Sequence, residues 1–421
     1  MKGLFSKRSG FVKNVTTLVT GTAIAQFINI LSTPLLTRIY SPEEFAVFQI
    51  FYSIAAIFSV IATLRYELAI MAPENEEEAL DLVSISFYAS VGIATLSLLI
   101  LILWKGFFTG KSDTVFNDWF FLMPLYIVFA GLMQSLNILS LRRKTFRRNL
   151  FARVGTAFVS AITGVLLGWK GFKPSGLIIG STSGQMTGFL LLFHAVPGIV
   201  IRPFSRFQEM KSAIRIHKNY PVYNAPHALI DTFQDQGIVL LLNYYFLPAI
   251  VSFYGQAFRI LKAPIGFIGS AIYQVMFPKF TEMSREGRDM RPYVKRLYIQ
   301  MFLFGLPVFT ILWLYAEPIF AWFFGPGWEE AGTIAGIMAP WLMLNFIVSP
   351  VSCFALIRNR QRKAAIITII EVILRITAIV IGGYFGSYKL GFTLLTLAGS
   401  LVMIYAMVWY YRLSAPLMEK R

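Results

Sequence analysis

The stretch YPVYNAPHALIDTFQDQGIVLLLNYYFLPAIVSFYGQAFRILKAPIGFIGSAIYQVMFPKF, residues 220–280, places ionisable side chains inside two otherwise apolar runs. The first run, about 220–246, carries His227, Asp231 and Asp235 at spacings of four residues. In a helix these three side chains share one face. A charge at the centre of a lipid-facing helix costs about 2.5–3.5 kcal/mol. We therefore expect this face to point into a bundle of helices.

The second run, about 249–277, carries Arg259 and Lys262, which also share a helical face. Counting outward from the turn between the two runs, at about 1.5 Å per residue, puts Asp235 and Arg259 at a similar depth. Two interpretations stay open at this point. The charges form structural ion pairs that hold two helices together, or they line a charged pathway, which is the usual role of ionisable residues inside a membrane.

The composition indicates the class of protein, because the chain has 421 residues, of which 56% are hydrophobic and only 14% charged. Runs of about twenty apolar residues recur along it, and each would cross a hydrocarbon core about 30 Å thick. The fold class predicted is an all-α integral membrane protein with about twelve transmembrane helices. The predicted spans are 14–37, 43–66, 79–104, 118–141, 150–169, 174–197, 220–246, 249–277, 293–316, 328–357, 364–384 and 389–412.

The net charge of +17 would fit a nucleic-acid-binding protein, but the distribution of the basic residues argues against that class. They concentrate in every second loop, most densely in RRKTFRR at 142–148 and again at 202–218, 279–296 and 358–363. Loops rich in Lys and Arg stay on the cytoplasmic side of a membrane. The pattern predicts that both termini are cytoplasmic and that the number of spans is even.

The two halves of the chain show a weak internal repeat. YSPEEFAVFQIFYSI at 40–54 aligns with FLPAIVSFYGQAFRI at 246–260, which matches Pro42 with Pro248. With six spans in each half, the repeat keeps its orientation in the membrane. The sequence therefore predicts two six-helix bundles related as a parallel pseudo-repeat.

The predicted domains are an N-terminal six-helix bundle at 1–197, a cytoplasmic amphipathic linker at 198–219 and a C-terminal six-helix bundle at 220–421. The linker contains RPFSRFQEMKSAIRIHK, in which basic and apolar residues alternate. This pattern is typical of a helix that lies on the membrane surface.

Further charges lie at or within predicted spans. Arg65 and Glu67 stand at the cytoplasmic end of the second span, and Glu371 and Arg375 occupy positions i and i+4 of the eleventh, in the favourable order for a pair within one helix. Cys353 is the only cysteine, so disulfides and cysteine-rich metal sites are excluded. We find no metal-ligand cluster and no phosphate-binding loop in the sequence.

Four stretches carry a resemblance that covers nearly the whole chain. They are LLTRIYSPEEFAVFQIFYSI at 35–54, RYELAI at 65–70, the block at 231–280 and AEPIFAWFFGPGWEEA at 316–331. In their order and spacing, the chain resembles the polysaccharide-transport branch of the multidrug/oligosaccharidyl-lipid/polysaccharide (MOP) exporters, especially bacterial O-antigen repeat-unit flippases. The related peptidoglycan-precursor flippases have fourteen spans, whereas twelve are predicted here.

The resemblance implies that two bundles surround a central cavity in a protein of the bacterial cytoplasmic (inner) membrane. An undecaprenyl-pyrophosphate-linked oligosaccharide would pass from the cytoplasmic to the periplasmic leaflet by alternating access, for O-antigen or another surface polysaccharide. The implied partners are that lipid-linked oligosaccharide, the membrane lipids and other polysaccharide-assembly membrane proteins, with no nucleic acid. No enzymatic activity and no cofactor are expected, apart from a coupling ion such as H⁺ or Na⁺.

The first candidates for binding the pyrophosphate are Arg259 and Lys262, because a guanidinium grips phosphate oxygens with two parallel hydrogen bonds. The resemblance adds Arg65 and Arg375 to the substrate-binding set. The remaining charged residues are candidates for coupling or for charge pairing: His227, Asp231, Asp235, Glu67 and Glu371.

Three alternatives belong to other functional classes. A cation-coupled multidrug exporter needs carboxylates for cationic drugs, but bases balance acids in the central hairpin, which favours an anionic substrate. A membrane glycan polymerase or glycosyltransferase needs a catalytic domain, and the predicted outer loops are too short for one. A purely structural membrane protein would not need charges inside its spans.

Overall fold

The computed structural model describes residues 2–108, 118–195, 201–202 and 207–416, and this part of the chain is helical, without strands. In chain order its helices are α1 (Lys2–Ile39), α2 (Pro42–Val60), α3 (Glu76–Phe108), α4 (Met123–Arg142), α5 (Phe146–Trp169), α6 (Ser175–Ala195), α7 (Phe207–Ile216), α8 (Ala225–Tyr245), α9 (Pro248–Arg285), α10 (Arg291–Phe324), α11 (Glu329–Val348), α12 (Phe354–Ile357), α13 (Gln361–Tyr384) and α14 (Tyr388–Leu413).

Each predicted span overlaps one long helix, and the all-α membrane fold is confirmed. By length and composition, ten helices of the described chain are apolar enough to cross a membrane: α2–α6, α9–α11, α13 and α14. Two predicted spans, α1 and α8, are outside this set, and α8 contains the polar residues His227, Asp231 and Asp235. Ten spans are therefore supported, and the count of twelve stays a prediction.

The regular helix stops inside two predicted spans. In the span predicted at 43–66, α2 ends at Val60, and a 3-10 segment, Tyr66–Met71, follows. In the span predicted at 328–357, α11 ends at Val348, a 3-10 turn with Pro350 follows, and the candidate span continues to Ile357. Proline has no backbone N–H to donate to the preceding helical turn. Hydropathy does not register such a break, because the residues after it are still apolar.

The two aligned turns begin their helices in the same way. Pro42 occupies the first turn of α2, and Ser41 and Glu44 form a capping box in which each side chain accepts a hydrogen bond from the other residue's backbone N–H. Pro248 likewise opens α9 after the extended residue Leu247. Proline suits this position because its fixed φ matches the helix and the missing N–H would have no partner there.

The packing divides the chain into two compact units, unit 1 at Met1–Gly237 and unit 2 at Ile238–Arg421. In unit 1, α4 packs on α2, α3 and α6, and α5 packs on α6. In unit 2, α11 packs on α9, α10 and α14, and α13 packs on α14. These helix pairs recur in the same chain order in both units, as an internal repeat predicts.

The predicted linker lies partly within the described residues. Its helix α7 buries Met210 and Ala213 in the unit 1 core, beside Leu82 and Val83 of α3. The predicted domain limit at 197/198 lies outside the described residues, and unit 1 continues to Gly237. The division at 1–197, 198–219 and 220–421 stays a prediction.

Helices α5 and α6 approach each other closely because α6 presents glycine at every fourth position, at 176, 180, 184 and 188. A β-carbon at Gly180 would lie 2.8 Å from the Ser160 carbonyl oxygen, and one at Gly184 would lie 2.7 Å from that of Thr156. Small residues at this spacing bring helix backbones together in membranes. Close packing of backbone on backbone therefore holds α5 and α6 together.

Candidate functional site

Four stacked side chains form a ladder through the middle of unit 2. Tyr254 and Phe258 lie on α9, Trp341 on α11 and Phe392 on α14. The Tyr254 ring centroid lies 5.4 Å from that of Phe258 and 5.4 Å from that of Phe392. The Phe258 and Trp341 rings are nearly parallel, with centroids 6.3 Å apart. We call these four residues the aromatic ladder.

Two of the predicted cations rest on this ladder. Lys262 Nζ lies 4.7 Å from the Phe258 ring centroid, and Arg375 Cζ lies 4.6 Å from the Trp341 ring centroid. A cation over an aromatic face is held by the ring quadrupole. Lys262 is exposed whereas Arg375 is buried, so one end of the arrangement is accessible and the other is enclosed.

Arg259 belongs to the accessible end, because it is exposed and precedes Lys262 by three positions on α9. The sequence placed Arg259 and Lys262 together but did not connect either of them with Arg375. The connection runs through Phe258 and Trp341, which sequence reasoning missed. Phe258 carried a usable signal, since it stands four positions before Lys262 and therefore on the same helical face.

The guanidinium of Arg375 has N–H donors that make no hydrogen bond to the described residues. Its Nε and Nη2 atoms are buried and have no hydrogen-bond partner among the described residues, and Arg375 is 3% exposed. Glu371, one turn earlier on α13, is buried as well. The predicted pairing of these two residues within the helix stays a prediction. Buried unpaired donors are unusual, and each one needs an explanation.

In unit 1, Arg65 and Glu67 come together where α2 has ended. Arg65 Nη1 lies 3.3 Å from Glu67 Oε1, and the Thr63 hydroxyl donates a hydrogen bond to the same carboxylate. Arg65 has φ 63°, the left-handed conformation, and it precedes the 3-10 segment. Glu67 is 3% exposed and Arg65 Nε is buried without a partner. This tight local arrangement orients Arg65 with little freedom.

The acidic side of the predicted hairpin lies on α8. His227 Nδ1 lies 3.1 Å from Asp231 Oδ2, and both side chains are exposed. Asp235, one turn further, is half-buried. Asp235 belongs to unit 1 and Arg259 to unit 2. Their meeting at one depth stays a prediction.

The described residues contain no group of three or more His, Cys, Asp and Glu side chains placed to hold a metal ion. Cys353 is buried and free. What the unit 2 site offers is exposed positive charge, at Arg259 and Lys262, next to a buried aromatic stack. Such a surface suits a ligand that carries an anionic group.

Two solved structures share this architecture across most of their length. The lipid II flippase MurJ in its inward closed conformation matches with a TM-score of 0.72 and 15% identity, over 93% of this chain and 87% of that one. An inward-facing multidrug resistance MATE family transporter of the MOP superfamily matches with a TM-score of 0.71 and 14% identity, over 92% and 94%. The protein therefore has the fold of the MOP superfamily membrane transporters.

The sequence comparison identifies the family. Residues 35–333 match the family described as "Polysaccharide biosynthesis protein". The chain belongs to this family, within the polysaccharide-transport branch of the MOP superfamily. A relative is the succinoglycan biosynthesis transport protein ExoT of Rhizobium meliloti (strain 1021), which is 25% identical over 344 residues, 80% of this chain. The match spans 65% of the length of that relative.

Proposed function

We propose that this protein is a flippase that moves an undecaprenyl-pyrophosphate-linked oligosaccharide from the cytoplasmic to the periplasmic leaflet of the bacterial inner membrane. Its product would feed the assembly of O-antigen or another surface polysaccharide. Membership of the polysaccharide biosynthesis family supports this function. The likeness to a succinoglycan transport protein and the fold shared with a lipid II flippase support it as well.

The observation that carries the proposal is the pair of exposed cations on α9. Arg259 and Lys262 lie within an apolar helix long enough to cross a membrane. Charges at such positions are costly and typically serve a substrate pathway. Arg259 would bind two phosphate oxygens at once, and Lys262 would add a point charge.

The aromatic ladder orients the Lys262 side chain. Phe258 lies directly below the Lys262 ammonium group and stacks on Trp341. Because the ring holds the ammonium group in place, less freedom is lost when an anion binds. The proposed role of Lys262 is therefore to bind the pyrophosphate with a side chain that is already oriented.

The carboxylates of α8 are proposed to serve coupling. His227 and Asp231 already share a short contact, and Asp235 follows on the same face. Such a row would carry a proton or a sodium ion in exchange for the substrate. In this proposal, neutralising Asp235 changes the dependence of transport on the ion gradient.

The experiment replaces Arg259 and Lys262 by glutamine in cells that lack the chromosomal copy. Each loss removes a charge-assisted hydrogen bond worth about 1.5–3 kcal/mol, hence about a ten- to hundredfold loss of transport. We expect surface polysaccharide to fall and lipid-linked intermediate to accumulate while the protein stays abundant. Arg285→Gln is the matched control, because Arg285 is an exposed arginine in the last turn of the same helix.

Normal surface polysaccharide in both α9 variants would remove these cations from the substrate site. A multidrug exporter would give a different result. Deletion of the protein would then leave the polysaccharide unchanged and sensitise the cells to cationic dyes.

A further inference from the structure

Five buried polar atoms without a hydrogen-bond partner belong to the α11, α13 and α14 part of unit 2. They are Arg375 Nε, Arg375 Nη2, Trp341 Nε1, Thr396 Oγ1 and Ser400 Oγ. Buried polar groups are nearly always paired, because an unpaired one loses its hydration without compensation. So many unpaired atoms on neighbouring helices indicate that one ligand binds them together.

Helices α11 and α13 both pack on α14, and two contacts of Trp341 connect the three helices. The guanidinium of Arg375 lies 4.6 Å over the Trp341 ring. The indole Nε1 of Trp341 faces α14 at Gly399, where an added β-carbon would lie only 2.7 Å from it. Thr396 and Ser400, four positions apart, share one face of α14, and Thr396 precedes Gly399 by three positions.

The N–H donors of Arg375 and Trp341 determine which class of ligand fits. The Nε and Nη2 atoms form one edge of the guanidinium, and this edge presents two parallel N–H groups. That fork matches two oxygens of a carboxylate or phosphate group. The Trp341 indole also donates only, while the two hydroxyl groups adapt to either role. A metal cation would find no acceptor in the three N–H groups.

We propose that the face formed by Arg375, Trp341, Thr396 and Ser400 is a buried oxyanion site inside unit 2, separate from the exposed α9 cations. Arg375 holds two oxygens of the anion, and the Trp341 N–H group and the hydroxyl groups bind the rest. The Trp341 ring holds the guanidinium flat and pre-organised. The site therefore exists without the transported substrate.

Glu371 bears on the affinity of this site. It precedes Arg375 by one helical turn and is 9% exposed. A carboxylate one helical turn from the guanidinium opposes the binding of an anion by charge repulsion. Removing the charge of Glu371 therefore strengthens anion binding.

The test uses the purified full chain in nanodiscs, with chloride as the only anion of the starting buffer. Inorganic phosphate and acetate are added separately, against chloride at equal ionic strength, and the midpoint of thermal unfolding is measured. We expect at least one of the two oxyanions to raise the midpoint by about 2–6 °C near saturation, since a ligand that binds only the folded state stabilises it. Arg259→Gln keeps this shift.

Arg375→Lys keeps the charge but removes the fork, so the oxyanion shift should disappear. Glu371→Gln should enlarge it. If Arg375→Lys does not fold, the double variant T396V/S400A takes its place and should reduce the shift. No oxyanion-specific shift in the wild-type protein would mean that the site holds internal water only, and it would overturn the proposal. An equal shift in the fork-deficient variant would overturn it as well.

The outcome is separable from that of the proposed function, because no lipid-linked substrate is present in this assay. Stabilisation by the lipid-linked oligosaccharide alone, lost in Arg375→Lys, would assign Arg375 to the transported substrate. That result would contradict a separate oxyanion site and leave the flippase proposal standing.

Discussion

Glu67 illustrates how one carboxylate fixes a charged residue of the predicted substrate set. It pairs with Arg65 and accepts a hydrogen bond from the Thr63 hydroxyl, and its side chain is nearly enclosed. A buried acceptor of this kind leaves its donors unpaired when it is removed. The orientation of Arg65 therefore depends on Glu67 more than on its own rotamer preference.

We expect Glu67→Ala to lower the free energy of unfolding by about 1–3 kcal/mol, because the Thr63 hydroxyl and the Arg65 guanidinium lose their partner. Thermal unfolding of the purified protein measures the effect. Glu43→Ala, at an exposed carboxylate in the first turn of α2, serves as the control and should leave the midpoint nearly unchanged. An unchanged midpoint in Glu67→Ala would show that the pair contributes nothing to stability.

At the scale of the residue, spacing along a helix was a sufficient guide only where both partners share that helix. The four-residue spacing put His227 and Asp231 on one helical face, where the two side chains are in contact. The path from Lys262 through Phe258 and Trp341 to Arg375 did not, because it crosses from α9 through α11 to α13. Such contacts depend on which helices pack together and at what relative height. The pattern of residues along one helix predicts neither.

Among the helices, α5 and α6 depend on glycine for their close approach. We expect Gly180→Ala and Gly184→Ala each to lower the free energy of unfolding by about 1–3 kcal/mol, since the added methyl group would press on a backbone carbonyl oxygen of α5. The control is Gly92→Ala on α3, where an added β-carbon has nothing within 4 Å. The thermal unfolding midpoints of the three variants measure these effects. Equal midpoints for all three variants would contradict the proposed tight α5–α6 contact.

A second element-scale prediction concerns the segment that follows α6. Arg202 Nη1 lies 2.8 Å from Asp81 Oδ1, and both side chains are largely buried. The Arg202 backbone also accepts a hydrogen bond from Tyr88 and donates one to Ser84. In a double-mutant cycle of Arg202→Gln and Asp81→Asn, we expect a coupling energy of about 1–3 kcal/mol. Strictly additive losses of stability would show that the ion pair is not a tether.

The lengths of helices were predictable because apolar runs of about twenty residues have one common solution in a bilayer, a spanning helix. The ends of α2 and α11 were not predictable in this way. The residues directly after Val60, at 61–64, and those after Val348 are mostly apolar, although the regular helix has ended. Hydropathy reports the environment of a segment and not the hydrogen bonds within it.

On the scale of the whole molecule, the distribution of basic residues predicts the orientation in the membrane. In a Cys353→Ser background, we expect Pro326→Cys in the turn between α10 and α11 to react with a membrane-impermeant thiol reagent in intact cells. Arg360→Cys, before α13, should react only after permeabilisation. Both positions are exposed in the structure. The reverse pattern would invert the predicted topology.

The central claim is that the protein moves a pyrophosphate-linked oligosaccharide across a bilayer with the help of the α9 cations. The most direct measurement is transfer of such a lipid between leaflets of proteoliposomes that contain only the purified chain. We expect faster transfer than in protein-free vesicles, about a ten- to hundredfold loss in Arg259→Gln and Lys262→Gln, and wild-type transfer in Arg285→Gln. Transfer by the wild-type protein no faster than in protein-free vesicles, with an ion gradient imposed in either direction, would contradict the account.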